Sequence, residues 1–298
     1  MPLCTLHALP YRPDPAFWFE RIRHAPGAVL LDSGRPVAER GRFDLLSAWP
    51  IQVLDPSASE TGDAFFSRLR EALRSLGDAE APSGTDLPFV GGLLGYISYD
   101  FGSRLERLPD HAADDLGLPH ARFGVYAWAL VNDHQRQTTH LVFHPSLVQA
   151  ERSRLTTLFE ADWASPPSTF SLSSAFVADL LPSEYQEAIA RIQRYIQAGD
   201  CYQVNFAQRF QAIYSGDPWQ AFRLLRDACP TPFAGFMTMA EGAIASVSPE
   251  RFLRVSDRTV ETRPIKGTRP RKLDPKSDLA QADALMASTK DRAENLMI

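Results

Sequence analysis

Apolar residues recur along this chain at two different periods, and the change from one to the other marks out its elements. Asp14-Pro15 has the form of a helix start, an N-cap acid followed by proline, and predicts a helix over 15–24. The unbroken apolar run 28–31 reads as a buried strand ending at Asp32-Ser33-Gly34. Between 63 and 76, Phe66, Leu69, Leu73 and Leu76 lie at helical spacing and predict one apolar stripe, with Gly77 as the stop. Segments 123–131 and 138–143 are strand-like and flank the polar loop 132–135, as in an antiparallel hairpin. Segments 55–62 and 79–87 are loops by composition.

From Trp163 to Ala175 the sequence turns rich in serine and proline, which predicts a linker. The expected division is therefore a region over 1–165, a linker over 166–177 and a second region over 178–298. Ser183 and Gln186 have capping-box spacing and open a helix with Tyr185, Ile189, Ile192 and Ile196 on one face, ending at Gly199. The alternation of Tyr202, Val204 and Phe206 with Gln203 and Asn205 then predicts a long strand over 202–210. A helix starts at Asp217-Pro218, and strands follow at 233–239, at 243–248 with 251–255, and at 258–265. A last helix begins near Ser277 and runs to Ile298. Strands and helices do not alternate one for one, so the pattern favours an α+β fold: layered, mainly antiparallel sheets with flanking helices, not a doubly wound sheet.

Composition narrows the function classes. With 44% hydrophobic and 22% charged residues the chain is globular rather than disordered. A formal net charge of -5 without a concentrated basic run argues against nucleic acid as the partner. Cys4, Cys201 and Cys229 lie far apart without metal-ligand spacing, which fits a reducing compartment. The first residues lack the basic start and apolar core of a signal peptide, and no apolar run approaches the ~20 residues of a membrane span. A cytoplasmic protein without membrane contact is expected.

The inventory of reactive side chains then limits the chemistry. His7, His24, His111, His120, His134, His140 and His144 show no ligand spacing, and none lies beyond 144. The second half therefore offers carboxylates, lysines and arginines in place of a histidine triad or zinc site. Gly91-Gly92-Leu93-Leu94-Gly95 lacks the context of a phosphate loop and reads as close backbone packing. Three other segments stand out. Pro249 breaks a strand pattern, and the bulge it implies could turn Glu250 toward a cleft; on burial statistics Glu250 is a surface glutamate paired with an arginine. Lys266 lies sixteen residues on, between Pro264 and Gly267, a spacing at which antiparallel neighbours could share a site; by pattern alone it is a solvated lysine at a strand end. Lys290 with Glu294, and Asp291 with Asn295, lie four apart on the last helix, which by spacing is an ion-paired solvated face.

GDCYQVNFAQRF (199–210), SVSPERF (246–252), ETRPIKGTRPR (261–271) and STKDRAENLMI (288–298) together resemble the successive signatures of the chorismate-utilising enzymes. The pattern is most similar to the aminodeoxychorismate synthase component I branch, which serves para-aminobenzoate and folate biosynthesis. LLDSG (30–34), GRFDLL (41–46) and PFVGGLLGY (88–96) sit where that family has comparable segments. The resemblance implies amination of chorismate to 4-amino-4-deoxychorismate, with Lys266 as covalent nucleophile and Glu250 as general acid toward the departing 4-hydroxyl. Anthranilate synthases of the family generally carry alanine at the lysine position. For this chemistry the site should raise the pKa of Glu250 and lower that of Lys266, as desolvation does.

The resemblance further implies substrate contacts at Gly267 and Thr268, and a magnesium ion on Glu294 holding the substrate carboxylate. It implies a separate glutamine amidotransferase subunit that supplies ammonia. It also implies a tryptophan pocket at Ser33, at Arg40, Gly41, Arg42 and Phe43, and at Pro232, Phe233 and Ala234. Family members continue beyond the position of Ile298 with further substrate-binding groups and a second metal glutamate, so a truncated chain with weak chorismate binding is expected. Two other readings stand beside this one: anthranilate synthase component I, and a non-catalytic module that binds tryptophan or the amidotransferase.

Overall fold

The computed structural model describes residues 1–37, 41–109, 113–164 and 166–298. Its contacts divide into two compact units, Met1–Ser165 with Leu224–Ile298, and Pro166–Arg223. The first unit opens with β1 (Thr5–Leu9), α1 (Ala16–Phe19), β2 (Val29–Asp32), β3 (Phe43–Ser47) and β4 (Gln52–Leu54). It continues with α2 (Gly62–Leu76), β5 (Gly92–Ile97), β6 (Ala121–Tyr126), β7 (Trp128–Asp133), β8 (Thr138–Phe143) and α3 (Gln149–Glu160). The second unit holds β9 (Phe170–Leu172), β10 (Val177–Ala178), α4 (Pro182–Ala198), β11 (Phe210–Gln211) and β12 (Tyr214–Gly216). Helix α5 (Pro218–Ala228) crosses the division. The first unit resumes with β13 (Phe233–Met239), β14 (Gly242–Ser248), β15 (Arg254–Ser256), β16 (Thr259–Glu261), α6 (Pro275–Ala287) and α7 (Thr289–Leu296).

The architecture is α+β, as the pattern predicts. A seven-stranded sheet runs in the order β1-β8-β7-β3-β2-β13-β14, antiparallel throughout. A three-stranded antiparallel sheet, β4-β6-β5, faces it through Leu94 and Tyr126, which join Val29, Leu45, Val131 and Val142 in one core. Burial of such branched and aromatic side chains is the main term holding the two layers together.

A boundary falls at Ser165–Pro166, as the serine-rich stretch suggests, but strands from both sides of 166–177 join one sheet because Leu224–Ile298 returns to the unit of Met1–Ser165. That stretch is also not a bare linker. It carries β9, paired with β12, and leads into β10, paired with β11. Its residues are polar because these strands are largely exposed, not because they are unpaired.

Other elements shift for physical reasons. Helix α2 is capped by Thr61, whose Oγ1 accepts from the Ala64 N–H at 3.3 Å, and it buries Phe65, Leu69 and Ala72. Its apolar face is therefore turned one residue from the predicted stripe, and Leu73 is left exposed. The packing partners Phe101, Ala121 and Val125 decide this face. The strand expected over 123–131 is two strands that separate at Ala127, one entering each sheet. Helix α4 starts one residue before the predicted cap, with the Glu184 carboxylate accepting from the Leu181 N–H at 2.8 Å. The alternating segment 202–210 forms no strand except at its last residue, where β11 begins, because β10 offers only a two-residue partner. The final helix is two helices, broken at Ser288, whose backbone is extended and whose Oγ caps α7 by accepting from the Asp291 N–H. Among the described residues no helix is long and apolar enough to cross a membrane.

Candidate functional site

The hairpin β15–β16 brings Glu250 to the segment that carries Lys266. Its register sets Arg254 opposite Glu261, Val255 opposite Val260 and Ser256 opposite Thr259. Continued past the paired residues, that register places 250 opposite 265. The side chain completes what the backbone begins, since Glu250 Oε1 accepts from the Ile265 N–H at 3.0 Å. Further along the same ladder, Thr262 Oγ1 donates to the Phe252 carbonyl at 3.2 Å, and Arg251 is ion-paired to Glu261. Ser248 Oγ accepts from the Glu250 N–H at 3.3 Å and shapes the turn at Pro249. Glu250 itself is exposed, and its partner is the lysine-bearing segment rather than the arginine that burial statistics favour.

Lys266 is half-buried and opens on a hollow of about 410 Å³ lined also by Leu285, Met286, Asp291, Arg292, Asn295 and Leu296. Both α6 and α7 therefore contribute to its walls. Gly267 has φ 72°, and a Cβ there would lie 2.7 Å from Asp291 Cγ. Only glycine fits that turn without moving the carboxylate. Asp291 is buried and accepts from Arg269 Nη2 at 3.2 Å. Sequence reasoning assigned Asp291 to a solvated helix face. The signal that could have found it is Ser288 followed by an acid three residues on, which places that acid in the first turn of a helix. Thr268 is exposed.

Glu294 is half-buried, with Lys290 Nζ 3.2 Å from its Oε1, so the ion pair read from spacing is present. Among the described residues no group of three or more His, Cys, Asp or Glu side chains is placed to hold a metal ion. Magnesium favours near-octahedral oxygen ligation, and one carboxylate already paired to a lysine does not make such a site. The residues present do not fit the ion by themselves.

The segments assigned to tryptophan also converge, because β3, β2 and β13 are neighbours. Ala234 pairs with Asp32, and Leu31 with Leu45, which sets Ser33, Gly41 to Phe43 and Pro232 to Ala234 at one end of the sheet. Arg40 lies outside the described residues. Ser33 is buried and donates to Asp44 Oδ1 from its N–H at 2.9 Å and its hydroxyl at 2.7 Å. Asp44 Oδ2 lies 2.6 Å from His134 Nε2, and His134 Nδ1 lies 2.8 Å from the Tyr11 hydroxyl. Arg42 binds Asp133 at 2.8 Å and stacks 4.4 Å from the centre of the Phe43 ring. Ala234 is buried, Pro232 half-buried, and Arg251 stands 5.4 Å over the Phe233 ring.

Beside Ser33, Asp32 is ion-paired to Arg226 and accepts from the Gly34 N–H at 2.6 Å. Burial first, and the nearby Asp44 second, push the Asp32 carboxyl up to about 6 against the pull of Arg226. Asp44, His134, Tyr11 and Arg226 were not among the residues singled out from sequence. They belong to four separate segments, and no local spacing connects them.

Comparisons with known proteins identify the family. Residues 28–298 match the family model described as chorismate binding enzyme. The chain is 43% identical to aminodeoxychorismate synthase component 1 of Salmonella typhimurium, an alignment covering 99% of this chain and 66% of that protein. It is likewise 43% identical to aminodeoxychorismate synthase component 1 of Escherichia coli, over 97% of this chain and 65% of that one. It thus spans just under two thirds of the length of these curated relatives. The crystal structure of anthranilate synthase component I from Streptococcus pneumoniae superposes with a TM-score of 0.67 at 24% identity, covering 87% of this chain and 60% of that one, and shares the fold. The chain belongs to the chorismate-binding enzyme family.

Proposed function

We propose that this chain carries the aminating site of an aminodeoxychorismate synthase, converting chorismate and ammonia to 4-amino-4-deoxychorismate. The observation that carries the reading is the hydrogen bond from Ile265 to Glu250, which ties a carboxyl group to the backbone one residue before Lys266, the lysine that opens on the hollow. The 43% identity to proteins named aminodeoxychorismate synthase component 1 supports it.

In this reading the neutral amine of Lys266 forms a bond to the chorismate ring as the bond to the 4-hydroxyl breaks. Glu250 delivers the proton that makes the leaving oxygen water, and the lysine nitrogen gives up its own proton. Ammonia then forms the new carbon–nitrogen bond, and the lysine leaves as its neutral amine, taking up a proton that the incoming nitrogen gives up. A glutamine amidotransferase subunit supplies that ammonia. Glu294 offers one carboxylate toward a magnesium ion, and no step is assigned to the metal. Tryptophan is the proposed ligand of the sheet end around Ser33, Arg42 and Phe233.

The test is product identification from chorismate, ammonium and magnesium, with mass spectrometry of the protein for an adduct on Lys266. Formation of anthranilate would replace this reading with anthranilate synthase. A second reading, a binding module without turnover, is favoured by the exposure of Glu250 and of most apolar side chains beyond Met237. Calorimetry showing tryptophan binding without chorismate binding would select that module.

A further inference from the structure

Beyond Met237 the described residues include four strands or parts of strands and two helices, and one side chain among them is buried: the carboxylate of Asp291, 8% exposed. Carboxylates are among the groups least often buried, and a buried one must be held by partners. Arg269 is that partner for Asp291, its Nη2 donating to Oδ2 at 3.2 Å, and the Asp291 side chain also packs against Gly267, where a Cβ would be 2.7 Å from Cγ. Its place on α7 is set by the helix start, since the Asp291 N–H donates to Ser288 Oγ at 3.3 Å. Asp291 thus grips the segment just after Lys266 at two points, residues 267 and 269. It also lines the hollow on which the lysine opens.

We propose that Asp291 is a positioning residue for Lys266: it locks the left-handed turn at Gly267 to the first turn of α7 and so directs the lysine amine into the hollow. The proposal rests on the reading of Lys266 as the reacting amine. The lock accounts for the glycine after the lysine, because a Cβ at 267 would force the Asp291 side chain to shift and would strain the left-handed turn.

The experiment measures the acetylation rate of each lysine by acetic anhydride, peptide by peptide, in the full chain. Lys272 and Lys276, whose residues are exposed, serve as internal references. In Asp291→Ala the rate at Lys266 is expected to rise about tenfold, the local opening that loss of one charge-assisted hydrogen bond implies, with the references unchanged. Asp291→Asn, which keeps the shape and an acceptor for Arg269, should restore most of the wild-type rate. Gly267→Ala should raise the Lys266 rate as Asp291→Ala does. An unchanged Lys266 rate in Asp291→Ala overturns the proposal. If that variant loses its helices, seen as equal gains at all lysines, an unchanged Lys266 rate in Gly267→Ala overturns it instead. Failure of the wild-type chain to aminate chorismate, with these rates as expected, would count against the function and not against the lock.

Discussion

The Glu250 carboxylate and the Ile265 N–H are joined at 3.0 Å, on the register that the β15–β16 hairpin would have if it continued. The bond ties an acid to the backbone one residue before Lys266, across a sequence separation of fifteen. Replacing Glu250 by Gln keeps the acceptor and removes the transferable proton. Product formation in Glu250→Gln is expected to fall about 100- to 10,000-fold while the melting temperature stays unchanged. Glu250→Ala loses the hydrogen bond as well and should melt lower. A wild-type rate in Glu250→Gln would remove Glu250 from the chemistry.

Lys266 lines the hollow and Glu250 is tied to its segment, so the adduct with chorismate should form there and at no other lysine. Wild-type protein quenched during turnover is expected to gain one substrate-derived mass on the peptide carrying Lys266. Lys266→Ala should show no such gain and only background product. An adduct that persists in Lys266→Ala would assign the nucleophile elsewhere.

Asp32 links protonation to stability. Its folded-state pKa of about 6 lies above the 3.8 of the free side chain, with burial the main cause. The folded chain therefore holds this proton more tightly than the unfolded chain does. Stability from this group is full below about pH 4, is lost as pH rises toward 6, and stays lower above it, a change of roughly 3 kcal/mol. Urea denaturation between pH 4 and 7 should show that downward slope in the wild type and its absence in Asp32→Asn. Any constant offset from the altered pairing with Arg226 leaves the slope comparison intact.

Helix α2 distinguishes the two phenylalanines that adjoin in its sequence. Phe65 is fully buried against Phe101 and Val125, whereas Phe66 is only partly buried at the edge of that cluster. Phe65→Ala is expected to cost about 3–5 kcal/mol of unfolding free energy and Phe66→Ala less than about 2 kcal/mol. Denaturant midpoints measure both. The reverse order would mean that the helix presents the face built on Phe66, Leu69, Leu73 and Leu76.

The amino-acid sequence by itself determined the residue types available for chemistry, the α+β class and most elements of the first unit. Helix starts at Asp14-Pro15 and Asp217-Pro218 and the glycine stops at 77 and 199 are local, because caps and turns depend on a few consecutive residues. The short spacing of Glu250 from the Lys266 segment likewise contained their approach, since a hairpin needs only short-range pairing. Tertiary structure decided what depends on distant partners. It set which face of α2 is buried, sent β6 and β7 into different sheets, and left 202–209 without a strand to pair with. It also buried Asp291 against Gly267, twenty-four positions away, and gathered Ser33, Asp44, His134 and Arg226 from four segments. Burial and pairing are properties of a neighbourhood, and a neighbourhood assembled from distant segments leaves no spacing in the chain to read.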